Sequence, residues 1–255
     1  MKSYETKRIL ITVKTYPSPA RKTVEASCTG GITEDGEWIR LFPVPFRRLD
    51  TDKRFKRYQW IEAPVTKANN DSRVESYHPD LDAMRMITEP LATTRNWQLR
   101  KDIVYPLMSE TLCGLQELRD RGKQPTLGIF KPRIKRLVIE PDSDRWTPEQ
   151  VAKLSQLTLF DQQPLSPLEK IPFKFRYDFD CLAPNCQGHR MICVDWEMAQ
   201  SYRSWFKLYG SDWEAKFRQK YEADMINHFD THFYVGTLAM FPSEWIIVGL
   251  FYPLP

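Results

Sequence analysis

A chain of 255 residues with 42% hydrophobic and 13% aromatic side chains can bury a sizeable core, in one large domain or two small ones, and is not a disordered polymer. It has no run of about 18 uncharged apolar residues, so no membrane-spanning helix is expected. Its opening residues lead into a short β-like run, not a cleavable leader. The net charge of +4 is unevenly spread: residues 1–136 carry 26 Lys/Arg against 17 Asp/Glu, and residues 137–255 carry 11 against 16. The first part therefore suits a polyanionic partner, with an ordinary solvated basic surface as the alternative.

In chain order, Arg8–Thr15 is rich in β-branched residues and predicts a strand, ended by Tyr16-Pro17-Ser18-Pro19. Thr23–Cys28 reads as a second strand, Gly30-Gly31 as a bend, and Asp35-Gly36 as a tight turn into a third strand, Trp38–Phe42. Tyr58–Ala63 is a fourth. Short strands separated by turns point to a small β-barrel or a strongly bent sheet. Between Gly36 and Trp60, seven Arg/Lys and six aromatic residues fall within 25 positions. Cations interleaved with rings suit a nucleic-acid surface. Arg40, Arg47, Arg48, Lys53, Arg54, Lys56 and Arg57 are expected to meet phosphates, with Phe46, Phe55 and Tyr58 stacking on bases, while Trp38 and Trp60 are assigned to the core.

Cys28-Thr29-Gly30-Gly31-Ile32 followed by Gly36-Glu37-Trp38-Ile39-Arg40 resembles the repeat unit of the dual-OB domain family. The resemblance implies an OB-like barrel, nucleic-acid binding, and a place in prokaryotic conflict and defence systems, acting with effector proteins encoded elsewhere.

From Thr94 to Arg121 the apolar spacing predicts two helices broken at Pro106. Leu127–Phe130 and Ile134–Ile139 read as strands, bringing Lys131, Arg133, Lys135 and Arg136 together as an extension of the basic surface. Thr147-Pro148-Glu149-Gln150 is a capped helix start. A proline-rich stretch follows, containing Gln156-Leu157-Thr158-Leu159-Phe160. It resembles the bacterial sliding-clamp-binding motif, which implies that Gln156, Leu157, Leu159 and Phe160 dock in a partner's groove; the alternative is that the apolar residues anchor a linker. The expected organisation is a basic, β-rich domain over 1–145 with a helical insertion, a linker with a short helix over 146–172, and an α+β domain over 173–255.

In the last of these, Ile171–Phe179 alternates as a strand and leads into Cys181, Cys186, His189 and Cys193. Five cysteines, an odd number with three of them clustered, suit a reducing cytoplasm and not a disulfide framework. Cys₃His is a common zinc set, with His228 or His232 as substitutes. Alternatively Cys193 is a buried strand cysteine and the others hold no metal. The aromatic residues from Trp196 to Phe229 recur at helical spacing and read as core, divided into a helical pair at Gly210. The apolar Trp245–Tyr252 reads as a central strand paired with His232–Thr237.

The fold class expected is α+β. The function expected is a cytoplasmic nucleic-acid-binding protein; no nucleotide, hydrolase or metalloprotease motif points to an enzyme, and an enzymatic reading stays open as an alternative. The first alternative is a metal-dependent nuclease centred on Cys181–Glu197, with Asp195, Glu197 and His189 as catalytic groups; Asp230 with His228 and His232 is a further candidate cluster. The same acids at a helix start more simply cap it. The other alternative is a clamp-binding adaptor.

Overall fold

The computed structural model describes residues 4–122, 124–155 and 166–255. The Gln156–Phe160 motif lies outside them. The chain folds as α+β and divides into two compact units, one made of 1–69, 76–90 and 141–173, the other of 70–75, 91–140 and 174–255. This division departs from the expected boundaries at 145 and 172. The helical segment and the strands carrying Lys131–Arg136 belong to the second unit, and the region read as a linker belongs to the first.

The first unit contains β1 (Glu5–Lys14), β2 (Ser18–Ala20), β3 (Val24–Thr33), β4 (Trp38–Val44), β5 (Trp60–Lys67), β6 (Ser76–Pro79) and β7 (Arg85–Met86). Five of these strands close into a barrel of order β1-β3-β4-β6-β5-β1, antiparallel except for β4 beside β6. Such a Greek-key barrel is OB-like. Its core is filled by every second residue of the strands: Ile9 and Ile11, Ile39 and Leu41, and Ile61, Ala63 and Val65. The β4–β5 connection contributes Leu49 and Phe55 to the same core.

The expected bend at Gly30-Gly31 is instead the middle of β3, which runs unbroken to Thr33. A Cβ on Gly31 would stand 2.6 Å from Ile9 Cγ2 and 2.6 Å from the Leu10 carbonyl oxygen, so glycine is what permits β1 and β3 to close at this point. Replacing Gly31 with Ala should cost about 1–3 kcal/mol by overpacking, read as a lower urea midpoint. Gly30→Ala is the comparison, because its added Cβ meets nothing closer than 3.4 Å.

The first unit's last segment is 141–173. There α1 (Pro148–Leu154) starts with the expected capping box between Thr147 and Gln150 and packs on β2 and β3.

The second unit contains the helix α2 (Thr94–Val104), the short strand β8 (Met108–Ser109), the helix α3 (Leu112–Gly122), and the strands β9 (Leu127–Phe130), β10 (Arg133–Pro141), β11 (Phe173–Asp180) and β12 (His189–Cys193). Helices α4 (Trp196–Tyr209), α5 (Trp213–Arg218) and α6 (Met225–Asn227) precede β13 (His232–Thr237) and β14 (Trp245–Phe251). The sheet order is β10-β11-β12-β14-β13-β9-β8. As its composition predicts, β14 is central; it lies parallel to β12 and antiparallel to β13. The aromatic stripe is core: Phe217 stacks on Phe175 at 4.5 Å, and Tyr202 meets Trp213 at 4.7 Å. Among the described residues no helix is long and apolar enough to cross a membrane.

Candidate metal centre

Three features bring ligands together in the second unit. β11 ends at Asp180, delivering Cys181 to the start of a loop. A turn closed by the Cys186 N–H on the Ala183 carbonyl (3.1 Å) returns the chain. Gly188, at φ +86°, aims it into β12 at His189. The fourth group is Cys113, at the second residue of α3.

The thiol of Cys181 lies 3.4 Å from that of Cys113. His189 Nε2 lies 3.5 Å from Cys113 Sγ and 3.3 Å from Cys186 Sγ. All four ligand atoms fall within 4.8 Å of one another. A tetrahedral zinc ion with Zn–S of about 2.3 Å and Zn–N of about 2.0–2.1 Å would separate its ligands by roughly 3.5–3.8 Å, so the four atoms already stand close to that spacing. The Cys181 and Gly188 N–H groups both point at Cys186 Sγ, each at 3.4 Å, an arrangement that stabilises a thiolate. The His189 ring lies against Phe179 at 5.2 Å, which fixes its plane. Burial and the facing Cys181 sulfur push the Cys113 thiol up to about 12. Burial also acts to raise Cys181, but hydrogen bonds led by the Cys113 backbone bring it down to about 6. The cluster can hold a metal ion.

Residues 108–255, more than half of the chain and all four cluster residues, match the family model described as Domain of unknown function (DUF8757). The chain belongs to the DUF8757 family. Residues 5–106, which include the barrel, match a second model, Domain of unknown function (DUF8758). No curated protein matches the chain.

Within the DUF8757 segment, Cys181, Cys186 and His189 converge as expected, and Cys193 does not. It sits in β12 opposite Phe175, four extended residues from His189. At about 3.3 Å per residue that is roughly 13 Å, beyond the reach of one tetrahedron. Cys113 takes its place. The substitutes do not reach the cluster either. His232 is buried, with Nδ1 2.9 Å from the Asp230 carbonyl oxygen. His228 is exposed, 3.9 Å from Asp224. Asp230 itself accepts from Tyr105 (2.9 Å) and Lys131 (2.5 Å). Asp195 is buried and accepts from the Met198 N–H (3.0 Å) as the N-cap of α4, with Glu197 in that helix's first turn. These acids serve the helix and do not join His189.

The basic stretch of the barrel is largely used internally. Arg40 is only 1% exposed and donates to Ser76 Oγ at 3.2 Å. Arg47 donates to Glu25 Oε2 at 3.2 Å and to the Ser166 carbonyl. Lys53 donates to the Asp82 carbonyl, Arg54 to those of Leu49 and Arg47, and Arg57 to that of Thr12, all within 3.0 Å. The physical reason is the β4–β5 connection. It is built from two 3₁₀ turns, Phe46–Arg48 and Thr51–Lys53, whose irregular backbone leaves the Leu49 and Arg47 carbonyls to Arg54 and brings Lys53 and Arg57 onto carbonyls of neighbouring segments, at Asp82 and Thr12. Arg48 is half-buried, while Lys56 is exposed.

The rings expected to stack are spent likewise. Phe55 and Tyr58 are buried in the core, and Phe46 packs against it under Lys14 Nζ at 3.3 Å. Trp38 and Trp60, assigned to the core, are half-exposed.

In the second unit the basic strand residues do face solvent. Lys131, Arg133, Lys135 and Arg136 are exposed. Lys135 pairs with Asp180 at 2.8 Å, and Arg136 with Asp178 at 2.7 Å. Arg190 also grips Asp178, at 2.6 Å, and the Arg190 hydrogen bond leads the causes that hold this carboxyl down at about 2. A free aspartate titrates near 3.9. The depressed folded value therefore contributes stability that is complete above about pH 4 and is lost as pH falls through about 2. In acid melts between those values, Asp178→Asn should flatten the fall in stability that the wild type shows.

Proposed function

We propose that the chain is a nucleic-acid-binding protein whose second unit is held together by a structural zinc ion. One observation carries the reading: Cys113, Cys181, Cys186 and His189 converge at zinc-like spacing from a helix and a loop 68 residues apart. A closed set of four protein ligands leaves no open position for substrate and belongs to structural sites. That favours a binding module over a metal-dependent nuclease, of whose proposed acids Asp195 caps α4 and Glu197 lies in that helix's first turn. The OB-like barrel and the exposed cations of β10 support nucleic acid as the ligand.

The test is metal content. Protein purified without added metal should carry about one zinc per chain by elemental mass spectrometry, Cys113→Ser should lose it, and Cys193→Ser should keep it. Zinc retained in full by Cys113→Ser would defeat the assignment. A salt series with labelled DNA and RNA tests the ligand: binding should weaken steeply with salt.

A further inference from the structure

We infer that nucleic acid lies across the β10–β11–β12 face of the second unit, beside the Cys/His cluster, and not along the basic β4–β5 connection of the barrel. The inference rests on the nucleic-acid reading and says where on the molecule it is realised. The three strands carry six Lys/Arg and three Asp/Glu, and the two signs sit at different depths. Arg136, Lys135 and Arg190 have 61%, 55% and 51% of their side chains exposed, against 15% for Asp178 and 25% for Asp180. At Asp178 and Asp180 the outermost charge is positive and the carboxylate lies beneath it, whereas at the far end of β10 Glu140 is the more exposed partner, at 37% against 28% for Arg176.

Asp178 stands opposite Arg190 in the β11–β12 register and also receives Arg136 from β10. One recessed carboxylate thus orients two guanidinium groups across three strands, which lowers the ordering cost when a phosphate arrives. Each guanidinium has five N–H donors. Arg136 donates to Asp178 Oδ2 through Nε at 2.7 Å, which leaves its Nη donors for a phosphate oxygen. The Lys135–Asp180 pair, with its cation 55% exposed, is worth little in water and yields to a polyanion, while the firmer Asp178 pairs stay in place and hold their guanidinium groups in position.

The metal loop forms one border of this face. A Cβ on Gly188 would stand 3.3 Å from Asp180 Oδ1 and 3.8 Å from Lys135 Nζ, and Arg190 directly follows the ligand His189. The cluster therefore positions the cations without touching the nucleic acid.

The experiment titrates short labelled single- and double-stranded DNA and RNA with the full chain over a salt series. It compares wild type with Arg133→Ala/Lys135→Ala/Arg136→Ala and with Arg54→Ala/Lys56→Ala. Removing three phosphate contacts should lower the log–log salt slope by about two to three and weaken binding on the order of a hundredfold. The barrel variant should bind within about twofold of wild type, as expected where no phosphate contact is lost. Zinc content and melting of each variant are checked alongside.

A footprint on wild type needs no variant: bound oligonucleotide should shield Lys135 from amine acetylation and leave Lys56 reactive. Binding lost only in the barrel variant, or Lys56 shielded and Lys135 not, overturns the face while the function reading stands. Wild type that binds no probe at low salt overturns the function reading itself.

Discussion

If the cluster holds the proposed zinc ion, stripping it with a chelator, or replacing Cys181 by Ser, should abolish the folding transition of the second unit while a transition of the first persists. Structural zinc in small modules contributes an apparent ~10–16 kcal/mol, and a whole domain is stable by only about 5–15 kcal/mol. Removing the first term leaves nothing to hold the second. The topology explains why the loss should spread beyond one loop. The cluster ties α3, at Cys113, to the β11–β12 connection, at Cys181, Cys186 and His189, and in the sheet β12 lies beside the central β14 with β11 on its other side. Two-wavelength melting, or hydrogen exchange resolved by peptide, would read the result. Exchange should rise in peptides from 174–193 and 112–122 and stay low in those from β1 and β3. Unchanged protection after complete zinc removal would show that the thiols are ordinary buried side chains.

The barrel was legible because its strands carry their own punctuation. Pro17, the Asp35-Gly36 turn, and alternation in Ile39–Leu41 and Ile61–Val65 each act within a few residues. The helical pair was legible for a similar reason: Gly210, at φ +56°, ends α4 where the aromatic spacing breaks. What failed were inferences that needed long-range partners. Cys113 lies 68 residues before Cys181, and no local pattern joins them. The available signal was elimination, since Cys28 falls in a barrel strand and Cys193 in an extended one, leaving Cys113 at a helix start.

The arginines of the β4–β5 connection failed for another reason. A sequence shows a cation but not whether a backbone carbonyl waits for it. At Arg54 and Arg57 the carbonyls of Leu49, Arg47 and Thr12 were waiting. The same chemistry reassigned Phe55 and Tyr58. Rings beside cations suit base stacking on an open face, but in a short irregular connection closing the barrel they are its plug. On β10, by contrast, the edge strand of its sheet, the Leu137 N–H and carbonyl are met by Glu222 and Arg218, and Lys135 and Arg136 are left exposed.

Phe217→Ala should be a strongly damaging truncation in the second unit that leaves the Cys/His cluster intact, costing about 3–5 kcal/mol. Phe217 is fully buried on α5. It stacks on Phe175 of β11 at 4.5 Å and lies against Tyr221 at 4.7 Å, Trp213 at 5.4 Å and Trp205 at 6.2 Å. Its removal deprives four rings of a shared neighbour, and rings that size do not collapse into the gap without leaving their rotamers. Phe206, half-exposed at the end of α4, is the internal control: its truncation should cost under about 0.5 kcal/mol, as is usual at surface positions. The readout that separates packing from metal binding is stoichiometry. Phe175 stands opposite Cys193 in the β11–β12 register, at the end of the hairpin away from His189. Phe217→Ala protein should therefore melt early yet still carry its zinc when folded, whereas Cys113→Ser should lose zinc and stability together. Early zinc loss in Phe217→Ala under native conditions would mean that the aromatic layer, and not the loop alone, sets the ligand geometry.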